Sequence, residues 1–192
     1  VNFFPNPTVY SLDCSPDGNY LAVGARTAAD ENRLLVYSFN GSSLSLVSSQ
    51  LYSSNVADDI YAVAWHPDGN YLAVGGRNPA SGNELQIFSV TNGTLGGSPV
   101  DSKDYGTQIR AVAWSHNGGY IAIGGNGPTS GGELKIYSFN SGSLSTNSVA
   151  SKSFGTGIRS LRWSFDDLYL AVGGEGPTTP YELQVFSFNS GA

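Results

Sequence analysis

The segment Tyr71-Leu-Ala-Val-Gly-Gly76 decides the fold, because close copies of it occur three more times in the chain. The other copies begin at Tyr20, Tyr120 and Tyr169, so successive copies start 51, 49 and 49 residues apart. Repeats with a period of about 20 to 50 residues indicate solenoids or propellers. The segment is apolar on both faces, which is typical of a strand that lies between two neighbouring sheets. We name it strand b of a repeated unit.

Three further strands are predicted in each repeat. Strand a comes first, as in Ile60-Tyr-Ala-Val-Ala-Trp65, and a turn such as Pro67-Asp-Gly-Asn70 joins it to strand b. Strand c follows as in Glu84-Leu-Gln-Ile-Phe-Ser89, where polar and apolar residues alternate. Asn92-Gly93 favours a tight turn into a Ser-rich strand d. Four antiparallel strands form one propeller blade, so the sequence predicts an all-β chain of four blades.

The repeats also fix the predicted boundaries along the chain. Repeats one to four cover residues 9–59, 60–108, 109–157 and 158–192, and strand d of the third repeat is predicted over residues 144–154. The fourth repeat ends just after strand c and lacks strand d. Residues 1–8 take the place of the end of a strand d. We therefore expect them to form the outer strand of the last blade, or of an identical blade in another chain.

Composition excludes several kinds of partner. The net charge of −6 opposes binding to nucleic acid and to anionic lipid, and no cluster of Lys and Arg offsets it locally. No apolar run is long enough to span a membrane as a helix, and a single cysteine, Cys14, cannot form an internal disulfide. Low lysine content and two glycosylation-type sequences, at Asn40 and Asn92, lean towards a secreted or surface protein. No residue pattern implies a metal or another cofactor.

The turn Ser15-Pro-Asp-Gly18, with the strand b segment, resembles the WD-repeat propellers over essentially the whole chain. The chain lacks that family's Gly-His pair before strand a and its Trp-Asp pair at the end of strand c, and strand c ends in Phe88-Ser89 in the second repeat. The longer repeat also resembles lactonase-type and bacterial surface propellers. Both resemblances imply a propeller.

The number of blades bears on assembly. Each blade must pack against two others, and four blades would leave a strongly splayed ring. The resembling families usually close with seven or eight blades, so we expect a homodimer that forms one eight-bladed ring. The alternatives are a fragment of a longer chain, a four-bladed monomer and an open filament. Asp13 and Arg162 occupy one strand a position in the two terminal repeats, where they either form an ion pair across the seam or line a wet channel.

Charged residues at the starts of strands a and c recur from repeat to repeat. Strand c begins with Arg33, Glu84, Glu133 and Glu182, and Arg110 and Arg159 stand near the start of strand a, where Tyr10 and Tyr61 stand in the other repeats. These ends lie on one face of a propeller, so the Arg and Glu side chains could pair within or between blades. A charge repeated at one position favours a structural role, since each blade meets the same kind of neighbour.

The loops between strands b and c differ most between repeats, and they share one position, immediately after strand b. Arg26, Arg77, Asn126 and Glu175 occupy it and open the variable loops between strands b and c. Such loops are typical partner-binding elements, although solvated loop residues would give the same pattern. Two single residues are interpreted as structural: Cys14 aligns with Trp65 and is expected in the core, and His66 is expected to be a surface turn residue.

Three functions follow as hypotheses. No catalytic constellation is evident, so a binding or scaffold propeller that presents variable loops to a protein or glycan partner comes first. A lactonase-like hydrolase is the second, with Arg110, Arg159 and the strand c glutamates as the only candidate residues. A structural repeat of a surface layer or fibre is the third.

Overall fold

A computed structural model describes residues 8–26, 32–53, 59–77, 83–175 and 183–189. These residues form four antiparallel sheets, one for each repeat, and no helix. The predicted all-β architecture of four blades is therefore confirmed. Within the residues described, no helix is long and apolar enough to cross a membrane.

The strands follow the repeat in chain order. Blade 1 contains β1 (Thr8–Cys14), β2 (Tyr20–Arg26), β3 (Asn32–Phe39) and β4 (Leu44–Ser53). Blade 2 contains β5 (Ile60–Trp65), β6 (Tyr71–Gly76), β7 (Leu85–Thr91), β8 (Thr94–Leu95) and β9 (Asp101–Lys103). Blade 3 contains β10 (Gly106–Trp114), β11 (Tyr120–Pro128), β12 (Leu134–Asn140), β13 (Ser143–Leu144) and β14 (Ala150–Lys152). Blade 4 contains β15 (Gly157–Trp163), β16 (Tyr169–Glu175) and β17 (Leu183–Ser187).

The outer strand differs from the prediction in blades 2 and 3. It is continuous only in blade 1, as β4, whereas residues 144–154 contribute just the end of β13 and the short β14. In blade 2 the break falls at Gly96 to Pro99, where two glycines weaken a strand and a proline cannot donate to the ladder. Thr8 pairs with Arg26 and belongs to the inner strand β1. The prediction for residues 1–7 lies outside the described residues.

Neighbouring blades pack by a contact that recurs along the chain. The inner strands contact each other in order, β1 with β5, β5 with β10 and β10 with β15. An isoleucine of each following blade, Ile60, Ile109 or Ile158, is completely buried. Ile109 lies so close to Gly75 that a Cβ at residue 75 would stand 2.5 Å from the Ile109 Cγ2 atom. The glycine in strand b is therefore required by the side chain of the next blade.

Each tryptophan at the end of strand a also joins two blades. The indole N–H groups of Trp114 and Trp163 donate to the carbonyl oxygens of Ala64 and Ala113, both at 3.0 Å. Cys14, which aligns with these tryptophans, is exposed, so its predicted core position is wrong. The reason is that the described chain places no blade before blade 1.

His66 is also placed differently from the prediction. Its side chain is buried between blades 2 and 3, and its ring packs 4.8 Å from that of Trp114. The Nε2 atom lies 3.0 Å from the carbonyl oxygen of Gly118, in the turn of blade 3. The turns of adjacent blades lie side by side, and therefore a turn residue can become an interface residue.

The outward faces of the two terminal blades expose the side chains that inner blades bury. Val9 is 51% exposed, although Ile60 and Ile109 at the same repeat position are fully buried. Leu183 in blade 4 is 66% exposed, whereas its counterpart Leu85 in blade 2 is fully buried. Blades 1 and 4 thus each present an apolar surface of the type that joins blades elsewhere in the chain.

Candidate functional site

Nearly all arginines of the chain lie at one end of the blades. Strands a, b and c run antiparallel, so the start of strand a, the end of strand b and the start of strand c meet: Thr8 pairs with Arg26, and Arg26 pairs with Asn32. We call this end the arginine face and define it by five residues, which are every arginine except Arg162: Arg26, Arg33, Arg77, Arg110 and Arg159. The guanidinium groups of the chain are therefore concentrated at one end of the blades.

A β-bulge recurs near the start of strand a in all four blades. The register shifts around Tyr10, Tyr61, Arg110 and Arg159. A bulge adds an unpaired residue and redirects its side chain, and bulges are frequent beside functional sites. The rings of Tyr10 and Tyr61 meet edge to face with centroids 5.5 Å apart, and the Arg110 guanidinium carbon lies 4.8 Å from the Tyr61 ring centroid. The bulged side chains of blades 1 to 3 therefore contact one another in sequence.

The candidate positions predicted after strand b lie beside these bulges, and the structure includes Arg26, Asn126 and Glu175 in the strand itself. The Nε atom of Arg110 donates to Asn126 Oδ1 at 3.1 Å, and Asn126 Nδ2 donates to the carbonyl oxygen of Thr156 at 3.0 Å. In blade 4 the equivalent residues form an ion pair, in which the Arg159 guanidinium donates to the Glu175 carboxylate. In blades 3 and 4, the predicted residues at the strand a start and after strand b are thus paired within the blade.

Arg26 and Arg77 lie near a buried carboxylate, that of Asp59. Arg26 Nη1 is 4.0 Å from Asp59 Oδ1, and the backbone N–H of Arg77 donates to the carbonyl oxygen of Asp59 at 2.9 Å. Asp59 is buried, and its Oδ1 atom accepts no hydrogen bond from the described residues. Its Oδ2 atom accepts one from the Tyr61 hydroxyl at 3.2 Å. The partner of Asp59 in the sequence, Asp58, lies outside the described residues.

The pKa of Tyr61 reflects these surroundings. Burial raises the pKa of its hydroxyl, and the Asp59 carboxylate adds to the increase. The charges of Arg77 and Arg110 act in the opposite direction and lower the pKa. Tyr61 therefore lies at the centre of the charged groups contributed by blades 2 and 3.

The strand c glutamates bind backbone groups in place of the expected arginines. Glu84 Oε2 accepts from the backbone N–H groups of Tyr105 and Gly106 at 2.8 and 3.1 Å. Glu133 Oε2 accepts from those of Phe154 and Gly155 at 2.8 and 3.2 Å. Burial raises the pKa of Glu133, but these hydrogen bonds outweigh it and lower the pKa overall. The described glutamates thus hold the segment that leads into the next blade, while Glu182 lies outside the described residues.

The predicted seam residues face a shared cavity. Asp13 and Arg162 both line a space of about 300 Å³ between the inner strands, together with residues of blades 2 and 3. Asp13 Oδ2 accepts from the backbone N–H of Trp65 at 2.7 Å. Burial raises the pKa of Asp13, although this hydrogen bond and the Arg162 charge partly oppose the increase. An ion pair between these residues across two chains stays a prediction.

The opposite end of the blades carries acidic turns. We call it the turn face and define it by Asp17, Asp68, Asp166 and Asp167, which lie in the turns between strands a and b. Asp167 adopts a left-handed backbone conformation with φ of 58°, where the other blades have glycine. Its carboxylate accepts from the backbone N–H groups of His116 and Asn117 at 2.7 and 2.9 Å. Asp167 therefore joins blades 3 and 4.

Sequence reasoning missed the roles of Tyr61, Gln108 and Asp59 on the arginine face. Gln108 pairs with Asn126 across strands β10 and β11 and lies beside the Arg110 side chain. The signal in the sequence was the shared position of Tyr10, Tyr61, Arg110 and Arg159, whose partners depend on a register shift. In the described part of the chain, no group of three or more His, Cys, Asp or Glu side chains is placed to hold a metal ion.

Comparisons with solved structures show the same fold. The first is a putative 6-phosphogluconolactonase from Bacteroides uniformis, with a TM-score of 0.73, 18% identity, and coverage of 96% of this chain and 52% of that chain. The second is Sqt1 from Chaetomium thermophilum, with a TM-score of 0.64, 24% identity, and coverage of 93% and 44%. The third is the Myceliophteria thermophila Cps50 (Swd1) β-propeller domain, with a TM-score of 0.62, 16% identity, and coverage of 95% and 55%.

The chain spans about half the length of these solved proteins. At these identities the likeness shows the propeller fold alone, so the predicted WD-repeat-like propeller is confirmed at that level. A search of curated proteins finds no match. The sequence model described as "Eukaryotic translation initiation factor eIF2A" matches residues 3–179, which is most of the chain. The chain therefore belongs to this eIF2A family of propeller proteins.

Proposed function

We propose that the chain is a non-catalytic binding or scaffold propeller that presents the arginine face to a protein or glycan partner. The main support is the contrast between the contacts that recur in every blade and the residues of the arginine face that differ from blade to blade. The blade-to-blade contacts of isoleucine, glycine and tryptophan recur, whereas one position of the arginine face holds Arg26, Arg77, Asn126 and Glu175 in turn. Recurring contacts maintain the architecture. Variable residues on a rigid scaffold are suited to recognition.

Charge reversal on the arginine face, compared with an added charge on the opposite face, tests this proposal. Arg26→Glu and Arg77→Glu change the arginine face, and Ser42→Glu adds a negative charge in an exposed turn at the opposite end as the matched control. Partners are cross-linked to the purified chain and identified by mass spectrometry, and a glycan array covers carbohydrate ligands. The proposal expects the arginine variants to lose a ligand that the Ser42 variant retains. Equal retention by all three would contradict it.

We further propose that a second copy of the chain completes the ring. The support is continuity with the interface that already joins the blades. Val9 and Leu12 on blade 1 are equivalent to residues that inner blades bury, as are Leu183 and Val185 on blade 4. Blade 1 of one copy can therefore pack on blade 4 of the other by the same contacts, and two such contacts close eight blades. Filaments in electron micrographs would instead favour the structural layer or fibre.

A lactonase-like hydrolase is the second candidate, and the likeness to the putative 6-phosphogluconolactonase favours it. Hydrolysis would require polar groups that converge on the bound lactone, and the described candidates for this role are Arg110, Arg159, Glu84 and Glu133. The test measures acid release from a sugar lactone by the purified chain and by Arg159→Gln. Activity in the wild type that Arg159→Gln abolishes would support the hydrolase and overturn the non-catalytic proposal. Hydrolysis at the uncatalysed rate would contradict the hydrolase and support the non-catalytic binding function.

A further inference from the structure

We propose that Arg110 is a receptor for a carboxylate group that an acidic peptide segment of a partner supplies. The inference rests on the binding function proposed above, because it assigns a chemistry to one part of the arginine face. Four residues form this Arg110 site: Arg110, Tyr61, Asn126 and Gln108.

The guanidinium of Arg110 is held in place before any ligand arrives. Its Nε atom donates to Asn126 Oδ1 at 3.1 Å, and Asn126 is itself fixed by its hydrogen bond to Thr156. The Gln108 amide oxygen lies 3.2 Å from Arg110 Nη2 in the amide orientation that satisfies its hydrogen-bonding groups. The guanidinium carbon lies 4.8 Å from the Tyr61 ring centroid, within the range of a cation–π contact. A side chain that is already ordered loses little entropy on binding.

The contacts of Arg110 leave one edge of the guanidinium for a ligand. Asn126 and Gln108 both accept hydrogen bonds from the edge formed by Nε and Nη2. No residue of the described chain accepts a hydrogen bond from Nη1. The edge formed by Nη1 and Nη2 presents two parallel N–H groups. A planar carboxylate accepts from such a pair with both oxygens, which gives a strong and directional contact.

Neutral partners distinguish Arg110 from its counterpart in blade 4. Both side chains that accept from Arg110 are amides, so within the described residues its charge has no carboxylate partner. Arg159 occupies the equivalent position, and Glu175, at the position of Asn126, neutralises it. The chain thus contains a charged and a neutralised version of one site, and of the two only Arg110 is available to an anion.

The Arg110 guanidinium supplies the positive charge that attracts an acidic ligand to the site. Asp17, Asp68, Asp166 and Asp167 lie on the turn face, away from the arginines. Near Tyr61, the Arg77 and Arg110 charges oppose that of Asp59. The whole chain has a net charge of −6, so the attraction of an acid rests on the Arg110 guanidinium itself, which accepting amides hold and no carboxylate of the described residues neutralises. One uncompensated guanidinium suits a single carboxylate, whereas a nucleic acid requires a row of cations along its phosphates.

Fluorescence anisotropy with a labelled Gly- and Ser-based peptide that carries a central run of glutamates tests the site. The wild type is expected to bind this peptide saturably and not to bind the same peptide with glutamine. Arg110→Gln removes the guanidinium, and Asn126→Asp places a carboxylate beside it without a change of shape. Both variants should bind the glutamate peptide at least about tenfold more weakly than the wild type does. Lys152→Gln removes one positive charge from the exposed outer strand β14 of blade 3, outside the Arg110 site, and is the control, which should bind within about twofold of the wild type.

Several results would overturn the site. They are equal binding of the glutamate and glutamine peptides, wild-type affinity in Asn126→Asp, and an equal loss of affinity in Arg110→Gln and Lys152→Gln. Competition by inorganic phosphate far below the concentration at which acetate competes would overturn the carboxylate assignment. Thermal melting of each variant confirms that it folds. If the wild type captures a partner through Arg26 and Arg77 but does not bind the glutamate peptide, the carboxylate site fails while the binding function stands.

Discussion

Replacement of Gly75 by alanine tests how one blade packs on the next. The new Cβ would lie 2.5 Å from Ile109 Cγ2 and 3.0 Å from Val112 Cγ1. Ile109 is fully buried, so it cannot move into solvent, and the two sheets must separate by several tenths of an ångström. We therefore expect Gly75→Ala to destabilise the protein, although alanine usually stabilises an exposed strand relative to glycine.

The magnitude follows from two opposing effects. Overpacking of a tight core costs about 1–3 kcal/mol. Alanine lowers the conformational entropy of the unfolded chain relative to glycine, which stabilises the folded protein by about 0.4–1 kcal/mol. The two ranges give an expected net loss in the free energy of unfolding of about 0–2.6 kcal/mol, centred at about 1.3 kcal/mol, and this centre corresponds to about 3–5 °C in melting temperature for a chain of this size. Ile109→Ala alone should cost about 2–5 kcal/mol, since it leaves a cavity.

The double variant isolates the contact between the two side chains. An alanine in place of Ile109 lacks the Cγ2 atom that obstructs residue 75, so Gly75→Ala together with Ile109→Ala should be about 1–2 kcal/mol more stable than the sum of the single effects predicts. Urea denaturation at one protein concentration measures all three variants, because association changes apparent stability. Gly97→Ala is the control, since nothing lies within 4 Å of a Cβ there. Strict additivity, or a Gly75→Ala variant as stable as this control, would refute the packing account.

Three further variants address the blade contacts and the titrating groups. Trp114→Phe removes the indole N–H bond to Ala64 and should cost about 1 kcal/mol in thermal denaturation; an unchanged melting temperature would show that the bond contributes nothing. The pKa of Glu133 is lowered by folding, so the stability lost in Glu133→Gln should be full above about pH 4.5 and should vanish as the pH falls through the lower folded value; a loss independent of pH would contradict this. The pKa of Asp13 is raised by burial, so its ionised form costs stability at neutral pH. Asp13→Asn should melt higher than the wild type at pH 7, and the difference should disappear well below pH 3.8, whereas a lower melting temperature at pH 7 would count against the desolvation argument.

The repeat made most of the fold predictable from the sequence. Each copy of strand b carries the same apolar run and the same glycine, so four sheets and their strand order follow from one pattern. The structure adds that Gly75 is a glycine because Ile109 of the next blade lies against it. Contacts between blades join residues about one repeat apart, and no local pattern reports them.

The two wrong predictions, those for Cys14 and His66, have the same origin. Cys14 has the sequence position of a core residue, but no preceding blade of the described chain covers it. His66 has the sequence position of a turn residue, but the next blade covers it. In both cases burial depends on a neighbouring sheet and not on the local sequence.

The candidate site was predictable as a set of positions and not as a set of contacts. Arg110 and Asn126 were each identified from the repeat, but their hydrogen bond depends on a register shift at residue 110. A period-two pattern does not show such a bulge, because one extra residue changes which side chains share a face. The difference between Arg110 and Arg159 likewise becomes visible only in the structure, because it depends on which side chains accept their hydrogen bonds.

The solution mass of the purified chain, measured by light scattering over a range of concentrations, tests the proposed ring most directly. Two copies that close eight blades predict a mass near twice 20.1 kDa. Leu183→Asp should return a mass near 20.1 kDa, because it places a charge in the apolar surface of blade 4. A wild-type mass of 20.1 kDa at every concentration would contradict the two-chain ring.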